Sequence, residues 1–511
     1  SDRLSLQSSY RAADHARIIE RQLTLEDDVR IHRFTGAVRQ GQWSRSVIKL
    51  LGGEPAEIHR RAAGAVETVE KTFGPVERIR GFKALADVLA EQSEALPACL
   101  SESEALEDRA FDQLAGLVRD SVAENRPDSS RPDAFDCDRV RVAAAARLDF
   151  GGGWSDTPPY CIEHGGTVIN AAVTLGGAWP IQVEVRRTDE PTVTIESADQ
   201  GVVRQFHRAG DVLNVADPSD PLALAKAALI LHGIVPQDTP ADTPVEELLK
   251  PLGGGLRLTT EIDIPKGSGL GTSSILSGAI LAAVARLVGR EPSRETLFDY
   301  VLAAEQMLTT GGGWQDQVGG LTGGIKLVTS EPGLPQRLAI EPIEPAPGFS
   351  AEISQRLVVI YTGVRRLARN ILRTVMGRFM SRDPEAVSIL REIQDIARQM
   401  AEALNRQDID TLGRLMKLHW TLNKALDPGS SNPAIDELYA ACEPYMVGGK
   451  LAGAGGGGVI ELIAHSPDAA REVRARIEEG YGVSGVEVWT CEVVSPGYTV
   501  EAGSRAIANS D

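Results

Sequence analysis

Through the first 125 or so residues, apolar side chains recur at three- and four-residue intervals, as at Ala63, Val66, Val69 and Phe73 and again at Leu85, Val88 and Leu89. That spacing places them on one face of an α-helix, and no stretch there alternates as a half-buried strand would. The pattern predicts an all-α domain over residues 1–130. Its end is marked by Asn125 to Asp133, where Pro127 and Pro132 among polar residues suit an exposed linker. Beyond it the periodicity changes. Val140 to Arg147, Thr167 to Val173 and Ile181 to Arg186 are short β-branched runs bounded by Gly and Pro, which predicts strands of one sheet. Glu261 to Ile264 predicts another strand, and Ile275, Leu276, Ala279, Ile280, Ala283, Val284 and Leu287 form a helical stripe directly after it. Helical spacing returns from Leu367 to Leu426, followed by strand-like runs at Val459 to Ala464 and Val486 to Val493. The predicted class is α+β behind a helical domain.

Composition narrows the function. With 511 residues, 42% apolar and 24% charged, the chain has the balance of a folded protein of two or three domains. A net charge of −18 opposes binding to nucleic-acid backbones, so anions must be held by local backbone amides and a few placed cations. The longest apolar run, Ile275 to Gly289, is interrupted by Arg286 and is shorter than the roughly 20 residues of a membrane span, so no membrane partner is expected. Five widely spaced cysteines with no CxxC pair suggest reduced thiols and a cytoplasmic protein. Ser1 stands where an initiator Met would, which reads as a piece of a longer protein.

Glycine clusters carry the candidate chemistry. Pro265, Lys266, Gly267, Ser268, Gly269, Leu270, Gly271, Thr272, Ser273 and Ser274 join the predicted strand to the predicted helix. A helix N-terminus offers unpaired amides and partial positive charge, and glycine lets phosphate oxygens approach them. An ordinary glycine turn capping a helix fits the local pattern as well. No GxxxxGK[ST] occurs, which disfavours a P-loop fold. Gly453 to Gly458 matches GxGxxG but runs into Val459 to Ile463, a strand, and reads as a structural loop.

The Lys266 to Ser274 loop resembles the second motif of the GHMP kinase superfamily. Ala144 to Tyr160, with Gly151-Gly152-Gly153-Trp154-Ser155-Asp156-Thr157-Pro158-Pro159, resembles its first motif in the form found in fucokinases. Met307 to Gly320, with Gly311-Gly312-Gly313-Trp314-Gln315-Asp316, resembles the segment carrying the family's catalytic aspartate, and Lys450 to Gly458 resembles its third motif. The resemblance implies a two-lobed kinase domain over 138–500, with an N-lobe of about 138–340 and a C-lobe of about 341–500, using ATP and Mg2+. It makes Asp316 the catalytic carboxylate, with Arg147 beside it, and Asp156 the sugar-binding aspartate; Lys266 through Ser274 would hold the ATP phosphates. Glu305, eleven residues before Asp316, falls where mevalonate kinase has a magnesium ligand, and Ser273 would share that ion. Trp154, Trp314 and Tyr160, with Gly313, are candidate sugar contacts because an aromatic face stacks on the C–H side of a sugar. Read alone, Asp316 is equally a turn residue and Arg147 an ion-paired strand residue.

The implied reaction is phosphorylation of L-fucose at its anomeric hydroxyl, toward GDP-fucose. Gly153 stands where galactokinases carry a glutamate, which argues against galactose. Two alternatives remain: a heptose-phosphate kinase of the same superfamily, with Arg365, Arg366 and Arg369 receiving the substrate phosphate, and a non-catalytic sugar and ATP sensor. Residues 1–130 show no nucleotide-binding glycine loop or hexapeptide repeat, so they read as a connector or interaction domain. A nucleotidylyltransferase half, fused or associated, would lie outside this chain.

Overall fold

The computed structural model describes residues 14–42, 49–124, 129–215, 217, 219–265, 267–308, 312–364, 368–482 and 485–503. The chain divides into two compact units, residues 1–117 with 377–387, and residues 118–376 with 388–511. The inclusion of 377–387 in the first unit is not visible in the sequence pattern.

The first unit carries α1 (His15–Arg39), α2 (Pro55–Thr72), α3 (Pro75–Gln92) and the start of α4 (Ala98–Glu124). Asp14 caps α1 through the Arg17 amide, and α2 and α3 each begin on a proline, which loses no helical hydrogen bond at that position. The buried face of α2 is Ile58, Ala62, Ala65 and Val69, whereas Ala63 is exposed. Of the predicted stripe Val69 and Phe73 are buried and Val66 half-buried, and only Ala63 faces outward, because an alanine fits either face. Leu85, Val88 and Leu89 are buried as expected.

Among its described residues the second unit carries three sheets. Strands β1 (Arg139–Ala144), β4 (Ile181–Thr188), β5 (Val193–Ser197), β6 (Val202–Phe206), β7 (Gly255–Ile262) and β15 (Tyr498–Gly503) form one sheet in the order β15-β1-β4-β7-β5-β6. Val140, Val142 and Ala144 face its core and Arg139 and Arg141 do not, the alternation of a strand with one buried face. A second sheet joins β2 (Ala146–Gly151), β3 (Thr167–Leu175), β8 (Ile325–Ser330), β9 (Leu338–Ile343) and β14 (Cys491–Val493). A third runs β11-β12-β10-β13, from Met446–Leu451, Val459–Ala464, Leu357–Tyr361 and Glu487–Trp489.

The predicted strand Val140 to Arg147 is two strands broken at Ala145, one in each of two sheets. β14 pairs with β3 and β15 with β1, so the last strands complete sheets begun by residues 139–175. Helix α5 (Thr272–Leu287) packs on β1 and β4, and α6 (Arg294–Met307) and α7 (Gln315–Leu321) follow it. All five cysteines are free and buried. No helix among the described residues is long and apolar enough to cross a membrane.

Candidate active site

The glycine loop over 265–271, a candidate phosphate loop, runs from β7 into α5 as its sequence predicts. Gly267, Gly269 and Gly271 all have positive φ, at 78°, 84° and 73°, a region that costs a side-chain-bearing residue about 1–2 kcal/mol. Gly271 caps α5 without a side chain, which leaves the first-turn amides to a ligand. The loop is pressed against the 453–458 loop: a Cβ on Gly269 would stand 2.6 Å from the Ala452 carbonyl oxygen, and one on Gly458 would overlap that of Ser268. Leu270 is buried, and its carbonyl accepts the Arg147 amide at 3.1 Å, so its side chain belongs to the core. Ser268 is buried with its hydroxyl 3.5 Å from that of Thr272; Gly267 and Ser273 are exposed. Lys266, Arg365 and Arg366 lie outside the described residues, as does the side chain of Arg369.

Arg147, on β2, is 2% exposed and donates through Nη2 to Asp316 Oδ1 in the first turn of α7. Its Nη1 lies 3.7 Å from Asp149 Oδ2. Burial works against the guanidinium charge, but Asp316, Asp149 and Glu461 more than offset it and raise its pKa. A Cβ on Gly271 would stand 3.3 Å from Asp316 Cβ, so the carboxylate borders the end of the phosphate loop.

Asp156 is fully buried; its Oδ2 accepts the Gln315 amide at 3.2 Å, and its Oδ1 has no hydrogen-bond partner among the described residues. Burial, with repulsion from Asp316, pushes its pKa up from 3.8 to about 7. A Cβ on Gly313 would overlap Asp156 Oδ2, so a glycine there admits the carboxylate. The aromatic candidates sit differently from the sequence reading. Trp154, held at φ 83°, and Trp314 are 5% and 6% exposed, and Tyr160 is fully buried with its hydroxyl donating to Gln394 at 2.9 Å. Rings so enclosed expose little surface in this structure.

The expected pair of Ser273 and Glu305 is also displaced by one residue. Ser274, buried, donates to Glu305 Oε1, whereas Ser273 points outward. Burial first, and Asp316 in addition, raise the pKa of Glu305 to about 7 although the Ser274 hydrogen bond lowers it. Two carboxylates that repel each other beside hydroxyl oxygens are a donor set suited to a hard divalent cation. Among the described residues no cluster of three or more His, Cys, Asp or Glu side chains assembles a metal site, so such a cation would rest on one or two protein oxygens plus phosphate.

A buried charge network behind Arg147 escaped the sequence reading. Lys450 donates to the Asp149 carboxylate at 2.8 Å and to its carbonyl at 2.7 Å; both side chains are fully buried. Burial alone would raise Asp149, but Lys450 and Arg147 hold it down at about 2. Glu461 accepts the Asp149 amide at 3.0 Å and is itself raised to about 7, chiefly by burial. His419 Nε2 accepts the Gly152 amide at 3.1 Å, a role open only to neutral imidazole, and burial and Lys450 lower its pKa to about 3. The signal for Asp149 was its place two residues from Arg147 on one strand; for Lys450, a charge inside the apolar run Met446 to Leu451.

The family descriptions "GHMP kinases N terminal domain" and "GHMP kinases C terminal" match residues 243–324 and 400–483. The chain is 38% identical over 360 residues to bifunctional fucokinase/GDP-fucose pyrophosphorylase of Arabidopsis thaliana, covering 68% of this chain and 32% of that protein. It is 34% identical over 374 residues to L-fucokinase/L-fucose-1-P guanylyltransferase of Bacteroides fragilis, covering 73% and 39%. It thus spans between about a third and two fifths of the length of these curated relatives. Its fold matches a D-glycero-D-manno-heptose 1-phosphate kinase from Bacteroides thetaiotaomicron with a TM-score of 0.55 at 20% identity, over 71% of this chain and 99% of that one. With both domain descriptions matched in order, the chain belongs to the GHMP kinases.

Proposed function

We propose that this chain transfers the γ-phosphoryl group of ATP to the anomeric hydroxyl of L-fucose, giving fucose 1-phosphate and ADP. The observation that carries the reading is the Arg147–Asp316 pair bordering the glycine cap of α5, which sets a carboxylate beside an anion-binding helix end. Asp316 accepts the proton of the attacking hydroxyl. Arg147 fixes the direction of that carboxylate and, being buried, adds positive charge where phosphoryl oxygens gather it. Asp156, with Oδ1 unpartnered, orients the sugar through its hydroxyls. Glu305 and the hydroxyls at the start of α5 are the residues that would hold Mg2+, which when bound would neutralise charge on the ATP phosphates. The fucokinase names of two relatives support L-fucose as the acceptor.

The test is ADP release from purified protein with L-fucose and, separately, with heptose 7-phosphate, each with and without EDTA. L-fucose turnover that EDTA abolishes is expected, with Asp316→Asn losing about 10²- to 10⁴-fold in kcat. Turnover confined to the heptose phosphate would assign that substrate instead. Binding of sugar and nucleotide without turnover of either acceptor would make the protein a sensor.

A further inference from the structure

The face of the second sheet beneath α7 is polar where an apolar one is expected. Arg147 and Asp149, two residues apart, share one face of β2. Asp149 pairs in register with Asn170 on β3, and Asn170 with Lys326 on β8, so these three side chains form a row across three strands. Each is fully buried. The role of Asp149 is the network described above, but Lys326 contributes to nothing yet assigned.

Lys326 Nζ donates to the carbonyl of Gly319 at 2.7 Å and that of Gly324 at 3.2 Å, and no ion pair is made to it among the described residues. Burying a lysine is costly, and burial together with Arg147 lowers its pKa well below 10.5. A methionine or leucine would fill the same space without that cost, so the use of the site lies in the donors. Gly319 is three residues beyond Asp316 on the same short helix, and a Cβ there would overlap Arg147 Cγ. Only one more residue pair separates this carbonyl from the helix end, where terminal C=O groups lack helical partners and favour a cation.

We propose that Lys326 is a positioning residue: by holding the last turn of α7 to the sheet it sets where Asp316 meets Arg147. The assignment to catalysis rests on the kinase reading above, whereas the clamp on α7 does not. Replacing Lys326 with Met removes the side-chain donor to the Gly319 carbonyl while nearly keeping the volume, leaves the Gly324 carbonyl with the Ala172 amide at 3.1 Å, and Lys326→Gln restores one N–H donor. Kinetics and amide hydrogen exchange on both variants test it. Lys326→Met is expected to lower kcat by about 10- to 100-fold with the KM for ATP within about twofold, since small misplacement of a catalytic group costs that much. Amides 318–322 should exchange faster while those of α5 do not change, and Lys326→Gln should recover part of both effects.

A folded Lys326→Met with wild-type kcat and wild-type exchange would overturn the proposal. So would loss of folding in both variants, which would make Lys326 a residue of the fold at large. If the wild type turns over no acceptor, the kinase reading fails, yet the exchange measurement still judges the clamp.

Discussion

Asp149 and Asp156 lie on one short segment and are pushed in opposite directions, to about 2 and about 7, though both are fully buried. The difference is company: Lys450 and Arg147 stand against the first, while the second faces the Asp316 charge with one amide for help. This has a consequence for stability. The native Asp156 carboxyl keeps its proton to about pH 7, whereas the unfolded one releases it near its ordinary 3.8, so stability is lost as pH rises between those values. The slope is at most about 1.4 kcal/mol per pH unit for one group. Denaturant unfolding of ligand-free protein across that range should show a flatter profile for Asp156→Asn than for the wild type; parallel profiles would mean that Asp156 is already ionised in the native state. At this scale Arg147, Asp156 and Asp316 were readable as a set, because each sits in a distinctive string. The partner of Glu305 was not: Ser273 and Ser274 are adjacent, and only the rotation of α5 turns one hydroxyl inward.

Among the elements, α7 bears the greatest demands for its seven residues: Asp316 at its start, Gly319 against Arg147, and Gly320 against Ile275. Gly319→Ala sets two effects against each other. Alanine favours a helix over glycine by about 0.8–1 kcal/mol. Overlap with a close-packed, ion-paired arginine costs about 1–3 kcal/mol and moves the guanidinium. The clash should win, with a lower unfolding midpoint and, on the proposed function, a kcat reduced at least about tenfold, since the Arg147–Asp316 pair is disturbed directly. A variant with raised stability and unchanged kcat would show that Arg147 can relax without cost. Helices and strands of this unit were mostly legible, because α5 and β12 are long or strongly patterned. The break at Ala145 was not, since a strand leaving one sheet for another keeps its alternation while its neighbours change.

Over the whole molecule, the end of the chain completes what the segment after the linker begins. β14 pairs with β3 and β15 with β1, and the Gly497 carbonyl accepts the amide of Ala145 at the junction of the two sheets. A chain ending at Thr490 leaves β1 and β3 with open edges, and such edges invite aggregation. It should give little soluble protein or a markedly lower denaturant midpoint; full-length solubility and midpoint would show that the sheets hold without their last strands. Nothing in the sequence pairs residues 139–144 with 498–503, because strand periodicity states which face is buried and never which strand lies alongside. By itself the sequence determined the helical and α+β regions and the glycine loop at a helix start, since these depend on local spacing and on side-chain chemistry. Only the tertiary structure decided that Asp149, Lys450, Glu461 and His419 form a network behind Arg147, that Trp154 and Trp314 are buried and that Lys326 reaches α7. Those facts depend on register between strands far apart in sequence and on what burial does to a charge, and both are settled only when the chain has folded.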